Sequence, residues 1–331
     1  MTERISNNKN LIVLIAAFAA VYVFWGSTYL AIKYSIETLP PFLMAGSRFA
    51  FAGGILYLWG RLSKDSERPK LVHWKTAFVV GTFLLLGGNG GVVIASNYIS
   101  SSMAALLVAT EPFWIVLLSW LWLGNGRPGL KVVLGLLVGF AGVWMLIAGR
   151  APSGASVGGW EQWIGILAVM GGALSWATGS IYGLKSPTPK SSVLTSGMQM
   201  LAGSVSLIVV GLLRGEHQTF NIADVSSTSV YALFYLIIFG SLIGFSAYSW
   251  LLKNAQPSMV STYAYVNPVI AVILGWSIAG ESMTAQMLIG AFIIVASVVL
   301  ITANERGHSD DDGEPEFETH RSQTPSYSTS S

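Results

Sequence analysis

Long apolar runs alternate with short polar segments over most of this chain. Ten runs of about 20 apolar residues lie between positions 11 and 303, and each is long enough to cross about 30 Å of hydrocarbon as a helix. The strands of a membrane β-barrel would instead alternate apolar and polar residues. The pattern therefore predicts an all-α integral membrane protein whose ten transmembrane helices, here called spans, cover residues 11–34, 42–60, 76–95, 102–123, 130–149, 162–183, 192–213, 230–252, 258–279 and 285–303.

Two of these runs are related in sequence. Residues 102–124 read SMAALLVATEPFWIVLLSWLWLG, and residues 258–280 read SMVSTYAYVNPVIAVILGWSIAG. At this offset of 156, Asn267 and the proline after it take the place of Glu111 and Pro112. An offset of 151 likewise aligns Trp176 with Trp25. We interpret the chain as a duplicated membrane protein with an interior site between its two copies, which is more typical of a transporter than of an enzyme.

The duplication and the basic residues together predict the topology. With the N-terminus inside, fourteen Lys and Arg residues fall on the inner side and two on the outer side, so both termini are expected in the cytoplasm. Five spans are an odd number, so the second copy must be inverted. The predicted parts are a cytoplasmic head (1–10), a first repeat (11–150), a linker (151–161), a second repeat (162–303) and a disordered acidic cytoplasmic tail (304–331).

Composition and missing motifs exclude several classes of function. The chain is 53% hydrophobic and 10% charged, too apolar for a soluble globule. It has no cysteine, and its four histidines lie in loops or the tail, so no metal site or cofactor is expected. No phosphate-binding loop or catalytic Ser/His arrangement is recognisable, which argues against an ATPase or a hydrolase. The basic residues are spread over many loops, so nucleic acid is not an expected partner; the expected partners are lipid and a small-molecule substrate.

Arg48 and Glu111 are the most informative single residues. A charge within hydrocarbon costs at least about 2.5–3.5 kcal/mol, so such residues are rare and often functional. We expect both at similar depth, paired in the empty protein. The pair is either a structural link between two spans or a charged wall of the interior site. In the second case a zwitterionic amino acid matches both charges, and a proton competing at Glu111 would give antiport.

Other candidates for substrate contact are polar or aromatic residues inside the spans. Asn267 and Gln199 take the places of Glu111 and Arg48 in the second copy, where each is either a ligand contact or an interhelical hydrogen bond. Aromatic side chains can line a pocket or anchor a helix at the headgroups. The further predicted site residues are Tyr263, Tyr265, Trp25, Trp176 and Asn89.

Several of these motifs occur together in one known family. WGSTYLAIK from Trp25, PPFLMAGSRF from Pro40 and YAYVNPVIAVILGWSIAGE from Tyr263 resemble the drug/metabolite transporter superfamily, in particular its ten-helix EamA-type, YedA-like exporters. The resemblance covers residues 11–303 and implies export of amino acids, related metabolites or drugs from a cavity between two five-helix repeats in the inner membrane. Glu111 departs from the family pattern, in which an uncharged residue usually precedes that proline. The rival interpretation is a membrane sensor or scaffold that transports nothing.

Overall fold

The computed structural model describes residues 2–63, 67–99, 101–123, 128–148, 160–278, 284–286 and 288–297, and every regular element within these ranges is helical. This confirms the all-α membrane fold. The predicted linker and the acidic tail lie almost wholly outside the described residues, while the polar head continues the first helix from Thr2. Six helices are long and apolar enough to cross a membrane, and these are Leu11–Ser35, Pro41–Leu62, Leu71–Ala95, Trp163–Lys185, Ser192–Leu213 and Ser227–Asn254.

The fourth and ninth spans are broken helices, which corrects the prediction of single runs. In the fourth span the backbone turns at residues 109–110, and a new helix begins at Glu111. Proline is tolerated in a first helical turn because its missing N–H would be unpaired there anyway, so Pro112 fits this restart. The two segments are Ser101–Val108 and Glu111–Leu118 in the fourth span, and Pro257–Val260 and Tyr263–Ser277 in the ninth. The fifth span is the helix Leu130–Ala148, and the tenth is described over Leu288–Ser297.

The third and eighth spans both contain a π-helical stretch, in which the helix is wider than an α-helix. The stretch is Thr82–Asn89 in the third span and Leu236–Phe245 in the eighth. An offset of 156 carries residues 82–89 onto 238–245, inside the second stretch. Shorter π turns occur at Val21–Trp25 and Ser119–Leu123. Because π turns often mark functional positions, the coincidence directs attention to what these two stretches contact.

The second and seventh spans pack against each other through reciprocal contacts. Gly60 lies against Leu194, and Gly211 lies against Leu43. An offset of 151 converts one contact into the other, since 60 becomes 211 and 43 becomes 194. The numbers rise along one helix as they fall along the other, so the two helices are antiparallel. Such an exchange is what a two-fold axis perpendicular to the helices produces.

The same exchange relates other spans. Gly88 of the third span lies against Trp176 of the sixth, while Gly244 of the eighth lies against Trp25 of the first. Offsets of 151 for the tryptophans and 156 for the glycines convert one contact into the other. These contacts support the predicted inverted repeat, although the boundaries of its two halves remain a prediction.

Candidate functional site

A cavity lies inside the helical bundle, between residues of both predicted halves. About 80 Å³ is accessible to the centres of water molecules, and its volume is about 670 Å³ when the open space at its mouth is included. Sites for drug-sized ligands commonly measure roughly 300–1,000 Å³, so the enclosed 80 Å³ admits only a small solute. Seven of the nine predicted site residues line the cavity, and these are Trp25, Arg48, Asn89, Glu111, Trp176, Tyr263 and Asn267.

Arg48 brings a buried positive charge to the wall of this cavity. Its side chain is 3% exposed, and its Nε donates a hydrogen bond of 2.7 Å to Ser241 Oγ. The guanidinium carbon lies 4.6 Å from the ring centre of Phe49. Its Nη1 atom is buried and has no hydrogen-bond partner within the part of the chain that the structure describes. A buried donor without a partner is costly, so this nitrogen is well suited to bind an anionic group of a ligand.

Glu111 brings a buried carboxylate to the same cavity. It is 2% exposed and stands in the first turn of the helix that follows the break, where the helix dipole favours negative charge. Its Oε1 accepts a hydrogen bond of 2.5 Å from the Tyr263 hydroxyl. The break therefore places a carboxylate at a helix N-terminus inside the protein.

The expected ion pair between Arg48 and Glu111 is not formed in this structure. Ser241 satisfies the Arg48 Nε and Tyr263 satisfies Glu111, so each charged group has a neutral partner of its own. The sequence prediction placed both residues at similar depth but could not tell which neighbours the eighth and ninth spans supply. The two charges thus share a cavity without neutralising each other by direct contact.

Aromatic side chains make up much of the remaining wall. The Trp25 ring centre lies 5.3 Å from that of Trp176 and 5.0 Å from that of Tyr263, both edge-on. Trp25 Nε1 donates to the Gly240 carbonyl oxygen at 3.0 Å, in the π stretch of the eighth span. The arrangement holds flat, rigid surfaces around the two charged groups, as in pockets that enclose a small organic ligand.

Two amide side chains complete the polar lining. Asn89 ends the π stretch of the third span, and its Oδ1 is buried without a hydrogen-bond partner among the described residues. Asn267 is 2% exposed and hydrogen-bonds the hydroxyl of Tyr29, which also lines the cavity. Tyr29, which lies one helical turn from Trp25, therefore joins the seven predicted residues that line the cavity.

Gln199 and Tyr265 do not line this cavity, contrary to their prediction as partners of the other seven residues. Gln199 lines a second, smaller cavity. Tyr265 is 1% exposed, and its hydroxyl donates to the Leu136 carbonyl oxygen at 3.3 Å. Residues two positions apart on a helix point about 200° apart, so Tyr263 and Tyr265 cannot face one cavity together.

Among the described residues no group of three or more His, Asp or Glu side chains could hold a metal ion. What the cavity offers instead is a cation, a carboxylate, amides and aromatic rings. This set can bind and release a solute without changing its covalent structure.

Comparison with known proteins also indicates a transporter. The model of the EamA-like transporter family matches twice, at residues 11–148 and 163–303. The uncharacterized inner membrane transporter YedA of Escherichia coli strain K12 is 37% identical over 295 residues, which are 89% of this chain and 92% of that protein. The uncharacterized transporter YvbV of Bacillus subtilis is 27% identical over 298 residues, covering 90% and 93% of the two chains.

A solved crystal structure also shares the fold. It superposes with a TM-score of 0.69 over 89% of this chain and 98% of its own, at 21% sequence identity. A likeness at this identity concerns the fold alone. The family model matches both halves of the chain, and the chain is 37% identical to YedA. The chain therefore belongs to the EamA-like transporter family.

Proposed function

We propose that this protein is a membrane carrier that exports small organic solutes, amino acids above all, by alternating access. One observation carries the proposal: a buried Arg48 and a buried Glu111 line one cavity without pairing with each other. A structural ion pair would bring the two charges into contact. Charges held apart around an open volume instead suit a ligand that carries both signs.

An amino acid is the simplest solute that matches this cavity. Its carboxylate would bind Arg48, whose Nη1 atom has no hydrogen-bond partner among the described residues. Its ammonium would bind Glu111, and the rings of Trp25 and Trp176 would add cation–π attraction. Binding would leave neither buried charge unmatched, whereas a simple amine or a simple acid would satisfy only one of them.

The reciprocal contacts between spans support the proposal of alternating access. In an inverted repeat the two halves can exchange conformations, and this exchange moves the opening of a central site from one side of the membrane to the other. The contacts of Gly60 with Leu194 and of Gly211 with Leu43 support such a relation between the halves. Proton coupling is proposed at Glu111, where the neighbouring ionisable groups are Tyr263, Tyr29, Tyr248 and Arg48.

The proposed location is the inner membrane with both termini in the cytoplasm. The relative YedA is described as an inner membrane transporter, and the excess of Lys and Arg in one set of loops supports the orientation. Export is the direction expected for a carrier that resembles this family.

The experiment is flux through liposomes that contain the purified protein. Alanine is compared with ethylamine and propionate, which keep only the ammonium or only the carboxylate. We expect flux of the zwitterion to exceed that of both analogues by tenfold or more, because each analogue leaves one buried charge unmatched. Absence of flux for these and for a wider panel of amino acids and cationic drugs would favour a sensor or scaffold instead.

Neutral variants test the two charges separately. We expect Arg48→Gln and Glu111→Gln to lose most alanine flux while inserting normally, and Glu111→Gln to lose any pH dependence of the remainder. Tyr265→Phe is the control, since Tyr265 lines neither this cavity nor the second, smaller one. Wild-type flux with unchanged pH dependence in both charge variants would mean that the pair is structural.

A further inference from the structure

The second cavity corresponds to the first by the two-fold relation between the halves. It has about 40 Å³ accessible to the centres of water molecules, half of the value for the central cavity. Several residues that line the central cavity have counterparts in the second copy that line the second cavity. The counterpart's number is 151 higher for residues of the first and second spans and 156 higher for residues of the third. The corresponding pairs are Thr28 and Gly179, Tyr29 and Ser180, Arg48 and Gln199, Asn89 and Phe245, and Val92 and Tyr248.

This relation places the second cavity toward one side of the membrane. A two-fold axis perpendicular to the spans lies in the membrane plane, so it carries a cavity displaced toward one surface to an equal displacement toward the other. The second cavity is lined by Thr188 in the loop between the sixth and seventh spans and by Lys253 near the end of the eighth. These segments, with Lys185 and Lys190, belong to the side expected to be cytoplasmic.

The charges of the two cavities do not follow the symmetry. Gln199 replaces the cation that Arg48 supplies in the central cavity, but Lys253 brings a positive charge from a different position. Its ammonium donates to the Pro189 carbonyl oxygen at 2.9 Å and to Thr195 Oγ1 at 3.3 Å. Both acceptors are neutral, and none of the described carboxylates pairs with it. An ammonium has three N–H donors, so one remains for a ligand.

An aromatic partition separates the two cavities. Phe245 lines both of them. The Tyr248 hydroxyl is 2.6 Å from Ser180 Oγ and accepts from Trp176 Nε1 at 3.0 Å. Its ring centre lies 5.7 Å from that of Tyr263, on the central side. A solute that crossed this partition would leave the neighbourhood of one cation and enter that of the other.

We propose that the second cavity is an anion-binding entry site on the cytoplasmic side, where Lys253 receives the carboxylate of the solute before it reaches Arg48. The ligand class is a small carboxylate, with the hydroxyls of Thr188 and Ser249 as further hydrogen-bond donors. This inference rests on the proposed carrier function, because it assigns a step of the same route. It goes beyond that function because it locates a second binding site, built around Lys253, which has no counterpart in the central cavity.

The test measures the charge preference of the second cavity directly. The chain has no cysteine, so Thr188→Cys introduces a single thiol beside Lys253. Its reaction rates with anionic 2-sulfonatoethyl and cationic 2-(trimethylammonio)ethyl methanethiosulfonate are measured on the purified protein and divided by the rates for a free thiol. We expect the anionic reagent to be favoured, and Lys253→Gln to lower the ratio by about fivefold, as for loss of one nearby charge in a partly wet site.

Two controls complete the experiment. Lys253→Arg keeps the charge and should keep the preference, while Lys185→Gln removes a nearby lysine that does not line the cavity and should leave the ratio unchanged. An unchanged ratio in Lys253→Gln, or an equal drop in Lys185→Gln, would refute the entry site. The labelling does not require transport, so solute flux without a charge preference refutes the entry site alone, and a preference without flux refutes the carrier function alone.

Discussion

The hydroxyl of Tyr263 donates to Glu111 and so joins the ninth span to the fourth inside the central cavity. Tyr263→Phe removes only this hydroxyl. A hydrogen bond to a charged group is worth about 1.5–3 kcal/mol, so we expect alanine flux in liposomes to fall by roughly tenfold or more. Tyr265→Phe is the matched control, because its hydroxyl contacts the Leu136 carbonyl oxygen away from the cavity. Equal losses in the two variants would contradict a specific role of the Tyr263 bond.

Ser241 holds the buried guanidinium of Arg48 through its Nε atom. Ser241→Ala leaves this donor without its partner, and we expect a loss of about 1–3 kcal/mol in the free energy of unfolding. Ser246→Ala is the control in the same span, since the Ser246 hydroxyl is buried without a partner among the described residues. Thermal unfolding in detergent should separate the two variants by several degrees. A loss in Ser246→Ala as large as that in Ser241→Ala would count against this account.

Sequence reasoning identified the polar residues of the central cavity but not their pairing. A charge or an amide within an apolar run is visible in the sequence, since burying it is costly, and this found Arg48, Glu111, Asn89 and Asn267. The partner of each depends on neighbouring spans. Tyr248 was missed because an aromatic residue in an apolar run carries no comparable signal, and its bond to Ser180 is visible only in three dimensions.

At the scale of elements, the second and seventh spans depend on close approach of their backbones. A methyl group added at Gly197 would lie 2.5 Å from the backbone nitrogen of Tyr57, which cannot move aside as a side chain can. We expect Gly197→Ala to lower the free energy of unfolding by about 1–3 kcal/mol, the usual cost of overpacking. Thermal unfolding of the purified protein measures this change.

Gly54 provides the control on the same pair of helices. A methyl group added at Gly54 meets no atom within 4 Å. Alanine in an open helical position should therefore stabilise the protein by roughly 0.5–1 kcal/mol. If Gly54→Ala and Gly197→Ala shift the melting temperature in the same direction and by the same amount, contact between the two spans is not the cause.

Hydropathy located the six long apolar helices to within about five residues, because the length of an apolar run is fixed by the thickness of the bilayer. It could not reveal that the fourth and ninth runs are interrupted. A break inside the protein needs hydrogen-bond partners from elsewhere, and those partners are not encoded in hydropathy. The π stretches were not predicted from the sequence for a similar reason. They are 5 to 10 residues long, and a wider turn of that length barely alters the apolar pattern.

For the whole molecule, orientation is the prediction that most directly affects function. Single cysteines are introduced at Lys190 and at His217, which lie beyond opposite ends of the seventh span. With the cytoplasmic orientation of both termini, we expect an impermeant thiol reagent to label position 217 in intact cells and position 190 only after lysis. Labelling of position 190 alone in intact cells would reverse the orientation, and with it the assignment of the Lys253 cavity to the cytoplasmic side.

The number of buried carboxylates among the described residues sets a limit on the work that the proposed proton exchange could perform. Glu111 is the one buried acidic side chain among the described residues. A cycle that exchanges one proton there for one zwitterion moves one positive charge inward. An inside-negative membrane voltage of about 100 mV then contributes about 2.3 kcal/mol per cycle, and each pH unit contributes a further tenfold. The voltage alone would sustain an outward concentration ratio of roughly fiftyfold. A ratio steeper than the voltage and the pH gradient together allow would require a second proton, for which the described lining of the cavity offers no further carboxylate.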